Sequence, residues 1–278
     1  MRQPVTRIVN TPKIQPYGGY IPTKDLTEEP LTDEPLYRSL LETSCKMGTL
    51  TPQSLGLVFD YILRTDLAVM AGSDPVDAVL NAFEVSFLGA KLINKIDDAL
   101  ALGQKIADLY GKKKKNLTKI AQVASELVVY DAVFRAGYYN PDAEPPRVSE
   151  GDKNALELML GATEVYLLEK ERLVSLGYGF RALEAEKVAP SDGDILTVDS
   201  LIDLKCSIKK PTSKHTLQLI LYYILGLHEM STEFKRLKYL KIVNPRLGQV
   251  YSYEISKLDT EDLKTIERDI MGYKKSVF

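Results

Sequence analysis

The sequence predicts an α/β (α+β) protein: a mixed central sheet flanked by helices, preceded by an all-helical N-terminal domain. Three observations carry this. Apolar residues recur at helical spacing over residues 35–140. The pattern turns extended from residue 178. The C-terminal order then reads helix, strand, hairpin, helix, strand, strand, helix, which is a layered α/β arrangement.

The chain has 278 residues, 45% hydrophobic and 27% charged, an ordinary globular make-up. No apolar run reaches the roughly 18 residues a membrane helix needs, and no secretory pattern opens the chain. A cytoplasmic protein with no membrane partner is expected. Cys45, Cys206, His215 and His228 are too few for a cysteine or histidine metal centre, which leaves a hard cation held by carboxylates.

Residues 1–34 hold Pro4, Pro12, Pro16, Pro22 and Pro30, which predicts an extended arm rather than a packed element. Such an arm is disordered, lies along the body, or clasps a neighbouring subunit. A homo-oligomer or a protein partner, met through the arm or the helical domain, fits this reading. In the helical domain, residues 35–140, Pro52 and Pro75 read as first-turn prolines behind the caps Thr51 and Asp74. SDPVDAVLNAFEVSFLGAKLI carries one helical stripe, and NLTKIAQVASELVVYDAVFRAG another that ends at Gly137. Asp131 and Arg135, four apart, read as a helix-surface ion pair. GKKKKN, residues 111–116, is a lysine loop that is either solvated or in contact with phosphates. YYNPDAEPP, residues 138–146, is a turn-rich break between domains.

The α/β domain covers residues 150–278. It opens with an amphipathic helix over residues 152–177, an extended stretch over 178–189 and the turn PSDG. A hairpin follows, then a helix beginning near Pro211. RLKYLKIV and QVYSYEI read as strands joined by NPRLG. DTEDLKTIERDIMGY is a last helix capped by Asp259 or Thr260.

The hairpin, SDGDILTVDSLIDLK, carries charges in an apolar setting. A turn at Asp199 and Ser200 sets Leu196 opposite Asp203 and Asp194 opposite Lys205. Side chains alternate along a strand, so Asp194, Asp203 and Lys205 share one face. Two carboxylates at such spacing repel unless a cation or proton intervenes. Mg²⁺ takes oxygen ligands and acidifies a bound water, and a lysine stabilises a developing phosphorane charge. On the next helix Lys214, Gln218 and Tyr222 form one row, with His215 beside it. Residues 203–246 hold nine basic groups against three acidic ones. Lys209, Lys210, Lys214, His215 and Arg246 are the candidates for nucleic-acid contact within or beside that excess. On charge alone the excess reads as the solvated edges of strands and helices.

Gly193-Asp194, Asp203-Leu204-Lys205 and Gln218 through Tyr222 occur in the order of the PD-(D/E)xK phosphodiesterase superfamily. The chain resembles its RecB-like and lambda-exonuclease-like branch over residues 150–255. The resemblance implies a restriction-endonuclease-like core and Mg²⁺- or Mn²⁺-dependent cleavage of DNA. Asp194 and Asp203 are then metal ligands, with the Leu204 carbonyl as another. Lys205 is the catalytic lysine, and Gln218 and Tyr222 support the site or the DNA. Relatives often carry a further histidine or glutamate on the preceding helix. No histidine occurs there; Glu157, Glu164, Glu169, Glu184 and Glu186 are candidates, and Glu164 is favoured for its apolar neighbours. The alternative is a nuclease-fold module without turnover that binds nucleic acid or a protein partner.

Overall fold

The computed structural model describes residues 2–112, 114–140, 144 and 146–278. Lys113 of the lysine loop and Pro141, Asp142, Ala143 and Pro145 of the expected break lie outside the described residues. The chain forms two compact units. One joins the chain up to Thr32 with Val165–Phe278; the other is Asp33–Glu164. The division therefore falls at the end of a helix, after the break expected at residues 138–146.

The N-terminal segment is built into the α/β unit and is not a free arm. α1 (Val5–Ile8) buries Val5 and Ile8, and Ile21 is fully buried. β1 (Thr27–Pro30) pairs antiparallel with the strand Gln249–Glu254 at one edge of the sheet. Prolines block helices and ladders but not burial, and Pro30 sits on an edge strand where proline is tolerated. The apolar residues between the prolines decide the outcome.

The helical unit contains α2 (Tyr37–Lys46), α3 (Pro52–Met70), α4 (Pro75–Ala82), α5 (Glu84–Leu92), α6 (Ile96–Tyr110), α7 (Leu117–Leu127), α8 (Asp131–Ala136) and α9 (Glu150–Val165). Thr51 Oγ1 accepts from Ser54 N at 3.1 Å and Asp74 Oδ1 from Val76 N at 2.8 Å, so both expected caps form ahead of first-turn prolines. The stripe over residues 73–93 is not one helix. It breaks at Phe83 (φ −99°, ψ 19°), whose buried ring packs on Tyr61 with centroids 4.8 Å apart. The pair Asp131–Arg135 forms at 3.3 Å, but Asp131 is buried and also accepts from Tyr61 Oη and Ser86 Oγ. It is the centre of a buried network rather than a surface pair. A 3₁₀ turn at Val128–Tyr130 separates α7 from α8, which ends at Gly137 with φ 64°.

The α/β unit carries β2 (Leu173–Phe180), β3 (Ser191–Thr197), β4 (Ser200–Leu204), β5 (Tyr239–Asn244) and β6 (Gln249–Glu254). With β1 they form one mixed sheet of order β1-β6-β5-β4-β3-β2, in which β4 and β5 run parallel. α10 (Ser213–Glu229) is the crossover between them, as a parallel pair requires. α11 (Ser231–Phe234) follows, and α12 (Thr260–Thr265) continues into a π turn at Ile266–Met271. Asp259 caps α12, accepting from Asp262 N at 2.9 Å.

Two boundaries differ from expectation. The helix read to residue 177 is α-helical to Val165 and continues only as a π turn, Tyr166–Lys170, and the strand runs over 173–180 instead of 178–189. Gly177, at φ 68°, and a register shift between Leu173 and Ser175 interrupt the alternation that would have shown the strand. PSDG does not form a turn, because Ser191, Asp192 and Gly193 belong to β3. On one face of the sheet Leu196, Leu201, Leu240, Ile242 and Tyr251 form a core with Leu217, Leu221 and Ile224 of α10.

Ile21→Ala should cost about 2–5 kcal/mol, the usual range for truncating a fully buried isoleucine to alanine. Urea unfolding reads it. A change near zero would return the N-terminal segment to a dispensable arm.

Candidate active site

The β3–β4 hairpin positions the candidate site. Ile195 stands opposite Ile202 and Leu196 opposite Leu201. The turn is therefore Val198–Asp199, one residue earlier than expected. Thr197 closes it, its Oγ1 accepting from Ser200 N at 2.9 Å. The same register, continued, sets Asp194 opposite Asp203 rather than Lys205. The change in pairing is by two residues, an even number, so no side chain changes face. Asp194, Asp203 and Lys205 project on the face of Leu196 and Leu201, which α10 covers. Gly193 stands opposite Tyr178, and a Cβ on it would lie 2.2 Å from the ring. The glycine before Asp194 is thus required by packing.

Asp203 is 2% exposed. Lys205 Nζ lies 2.9 Å from its Oδ1 and 2.8 Å from its Oδ2. Lys205 N donates to Val243 O at 2.9 Å, which extends the parallel ladder and fixes the lysine's backbone. Asp194 is half-buried, and its Oδ2 accepts from Leu204 N at 2.8 Å. The loop after Lys205 is tied by Asn244, 1% exposed, whose Nδ2 donates to Ser207 O at 2.9 Å and whose Oδ1 accepts from Ser207 N at 3.3 Å. Sequence reading took Asn244 for a turn residue; the signal was an asparagine closing a strand before Pro245.

α10 supplies the cover. Gln218 Nε2 donates to Tyr222 Oη at 3.0 Å, and both side chains are buried. Burial first, then the negative charges of Asp203 and Asp194, raises the Tyr222 phenol well above its ordinary value, while the Gln218 bond opposes this. Tyr222 therefore keeps its proton. His215 is lowered to about 4 by burial, then by the charges of Lys205 and Lys214. Its Nδ1 accepts from Thr212 N at 3.1 Å. It is a neutral helix cap rather than a cation.

The remaining basic candidates lie on the loop after β4, at the start of α10 and in the turn after β5. Lys214 Nζ donates to Asn10 Oδ1 at 2.8 Å, and Lys210 is held by Glu28 of β1 at 2.7 and 3.0 Å. Lys209 is exposed on the loop, and Arg246 is half-buried in the turn after β5. On the opposite face of the sheet lies a network that sequence reading missed. Glu171 accepts from Lys241 Nζ, from Tyr166 Oη at 3.0 Å and from Thr197 Oγ1 at 3.1 Å. Its members are far apart in sequence, and no local spacing announces them.

Glu164 belongs to the helical unit. There it lies beside Asp66, whose Oδ2 accepts from Lys115 Nζ. Among the described residues no group of three or more His, Cys, Asp and Glu side chains is gathered for a metal ion. Asp194 and Asp203, opposite one another in the hairpin register, are the carboxylates that a hard cation would take there, since Mg²⁺ uses one or two carboxylates and keeps several waters. No described helix is long and apolar enough to cross a membrane.

Comparison with known proteins returns no match: no family model, no curated protein and no solved structure matches the chain.

Burial first, then the Asp66 charge, pushes Glu164 up to about 7, with Lys115 opposing. The folded chain holds this proton more tightly than the unfolded one. The resulting stability is full below the ordinary glutamate value and is lost as pH rises towards 7. Glu164→Gln should flatten the stability profile between pH 5 and 8. It should gain on the order of 1 kcal/mol at pH 8, a figure discounted for partial exposure. Parallel urea-midpoint profiles for parent and variant would contradict the placement of Glu164 beside Asp66.

Proposed function

We propose that the protein is a metal-dependent deoxyribonuclease of the PD-(D/E)xK type, hydrolysing phosphodiester bonds with water. One observation carries the reading. Two aspartates face each other at the end of a buried hairpin, a lysine lies on one of them, and a glutamine–tyrosine pair on the next helix covers them. Within the α/β unit the order β2, β3, β4, α10, β5, with β4 parallel to β5, supports it.

Asp194, Asp203 and the Leu204 carbonyl are the groups that would hold the cation. Mg²⁺ or Mn²⁺ bound there supplies an acidified water and neutralises charge on the scissile phosphate. Lys205 sets a positive charge beside Asp203, on a backbone fixed by β5. From there its ammonium orients the attacking water and offsets the charge of the five-coordinate phosphorus. The Tyr222 oxygen accepts from Gln218 and keeps its own proton for donation to an acidic oxygen. His215, neutral beside Lys205, caps the helix without adding charge.

A second reading has its own observation. The Lys205 ammonium contacts both oxygens of Asp203, the place a cation would take, which suits a module that binds without turnover.

Cleavage of linear and circular duplex DNA with Mg²⁺ or Mn²⁺ tests the first reading. Asp203→Ala and Lys205→Ala should each slow cleavage by roughly 100-fold or more, the scale of losing one charge-stabilising group. Variants that cut at the parent rate would remove the assignment. Calorimetric titration with Mn²⁺ separates the two readings: heat lost in Asp194→Ala favours the nuclease, and no metal binding alongside intact DNA binding favours the module.

A further inference from the structure

The lysine loop of the helical unit has no part in the site above, and the structure around it is specific. Residues 105–119 carry six lysines against one acid, Asp108. α6 and α7 pack together and leave between them a cavity of about 310 Å³. Its lining is Lys105, Asp108, Leu109, Lys112, Lys119, Gln122 and Val123, and most of that surface is apolar. Leu109, Val123 and the aliphatic lysine stems supply it, because lysine buries its stem and keeps its ammonium in water.

Lys105, Lys112 and Lys119 are exposed, and among the described residues none of them forms an ion pair. That separates them from Lys115, which is held by the buried Asp66. Asp108 lies in the same lining and accepts from Gln104 Nε2 at 2.8 Å. Three cations against one carboxylate leave the rim positive. The cavity thus pairs an apolar floor with a cationic edge. An anion alone would leave the floor unused, and an apolar ligand would leave the charges unused. A nucleotide unit uses both, its phosphate on the lysines and its sugar or base edge on the floor. Lys105 stands on α6, Lys112 in the turn after it and Lys119 on α7, so the three lysines come from both walls of the cavity and the turn between them.

We propose that the α6–α7 cavity is a nucleic-acid backbone site, seating one nucleotide unit of a strand with the neighbouring phosphates on Lys105, Lys112 and Lys119. The choice of nucleic acid over other polyanions rests on the nuclease reading.

The test is fluorescence anisotropy of the full chain with labelled duplex and single-stranded 30-mers, in EDTA, from 50 to 200 mM salt. EDTA prevents cleavage, so binding is read whether or not the hairpin site is catalytic. The variant Lys105→Gln/Lys112→Gln/Lys119→Gln should bind at least about 10-fold more weakly. Its plot of log affinity against log salt should be shallower by about 2–3, as expected when three phosphate contacts are lost. A control, Lys24→Gln/Lys46→Gln/Lys91→Gln, removes the same charge from exposed lysines elsewhere and should stay close to the parent. Circular dichroism melting checks that both triple variants are folded. Equal affinities and slopes for the two triple variants overturn the proposal, as does a parent chain that binds neither oligonucleotide. Weakened binding in the first variant, with unchanged cleavage by Asp203→Ala, would sink the nuclease assignment and leave this site standing.

Discussion

A side chain on a strand has two directions open to it, and the β3–β4 pairing settles which one each charge takes. Ile195 and Ile202 go to one face, and Leu196 and Leu201 to the other with the α10 core. Asp194, Asp203 and Lys205 are carried with the leucines by parity alone. A slip by one residue would send a carboxylate to the opposite face and the buried leucines with it. The apolar core therefore enforces the register that brings the charges together. Stability and site geometry are the same constraint.

That constraint has an electrostatic consequence. Asp203 is almost wholly buried, and an isolated carboxylate there would be costly. Lys205 offsets the charge from two residues away, on the same face. The effect spreads to the cover. Tyr222 keeps its proton because it is buried and two carboxylates oppose its ionisation. His215 stays neutral because it is buried and Lys205 and Lys214 oppose its protonation. Neither the tyrosine nor the histidine of the cover therefore adds charge beside the two aspartates and the lysine.

The helical unit handles charge differently. Asp131 is buried with Tyr61, Ser86 and Arg135, and Asp66 with Lys115 and Glu164. These acids are tied to partners within the unit. The lysines around the α6–α7 cavity face solvent. Sequence spacing made Asp131 and Arg135 look like a surface pair, because four-residue spacing reports a shared helix face but not what covers that face.

Much of the local structure of both units was legible in the chain. Thr51, Pro52, Asp74 and Pro75 started their helices as local chemistry requires, Asp259 capped the last one, and NPRLG joined its two strands. The common face of Asp194, Asp203 and Lys205 followed from alternation, which survives an even shift of register. Features that depend on distant residues were not legible. The burial of Ile21 and the pairing of β1 needed a sheet edge some 220 residues away in sequence. Phe83 broke its helix to pack on Tyr61, Gly177 hid the start of β2, and Glu164 found Asp66 across the helical unit. Caps, turns and alternation act through neighbours along the chain, so the residues alone determine them. Burial, register and the partner of a buried charge are set by what the folded chain brings alongside, and only the tertiary structure could decide them.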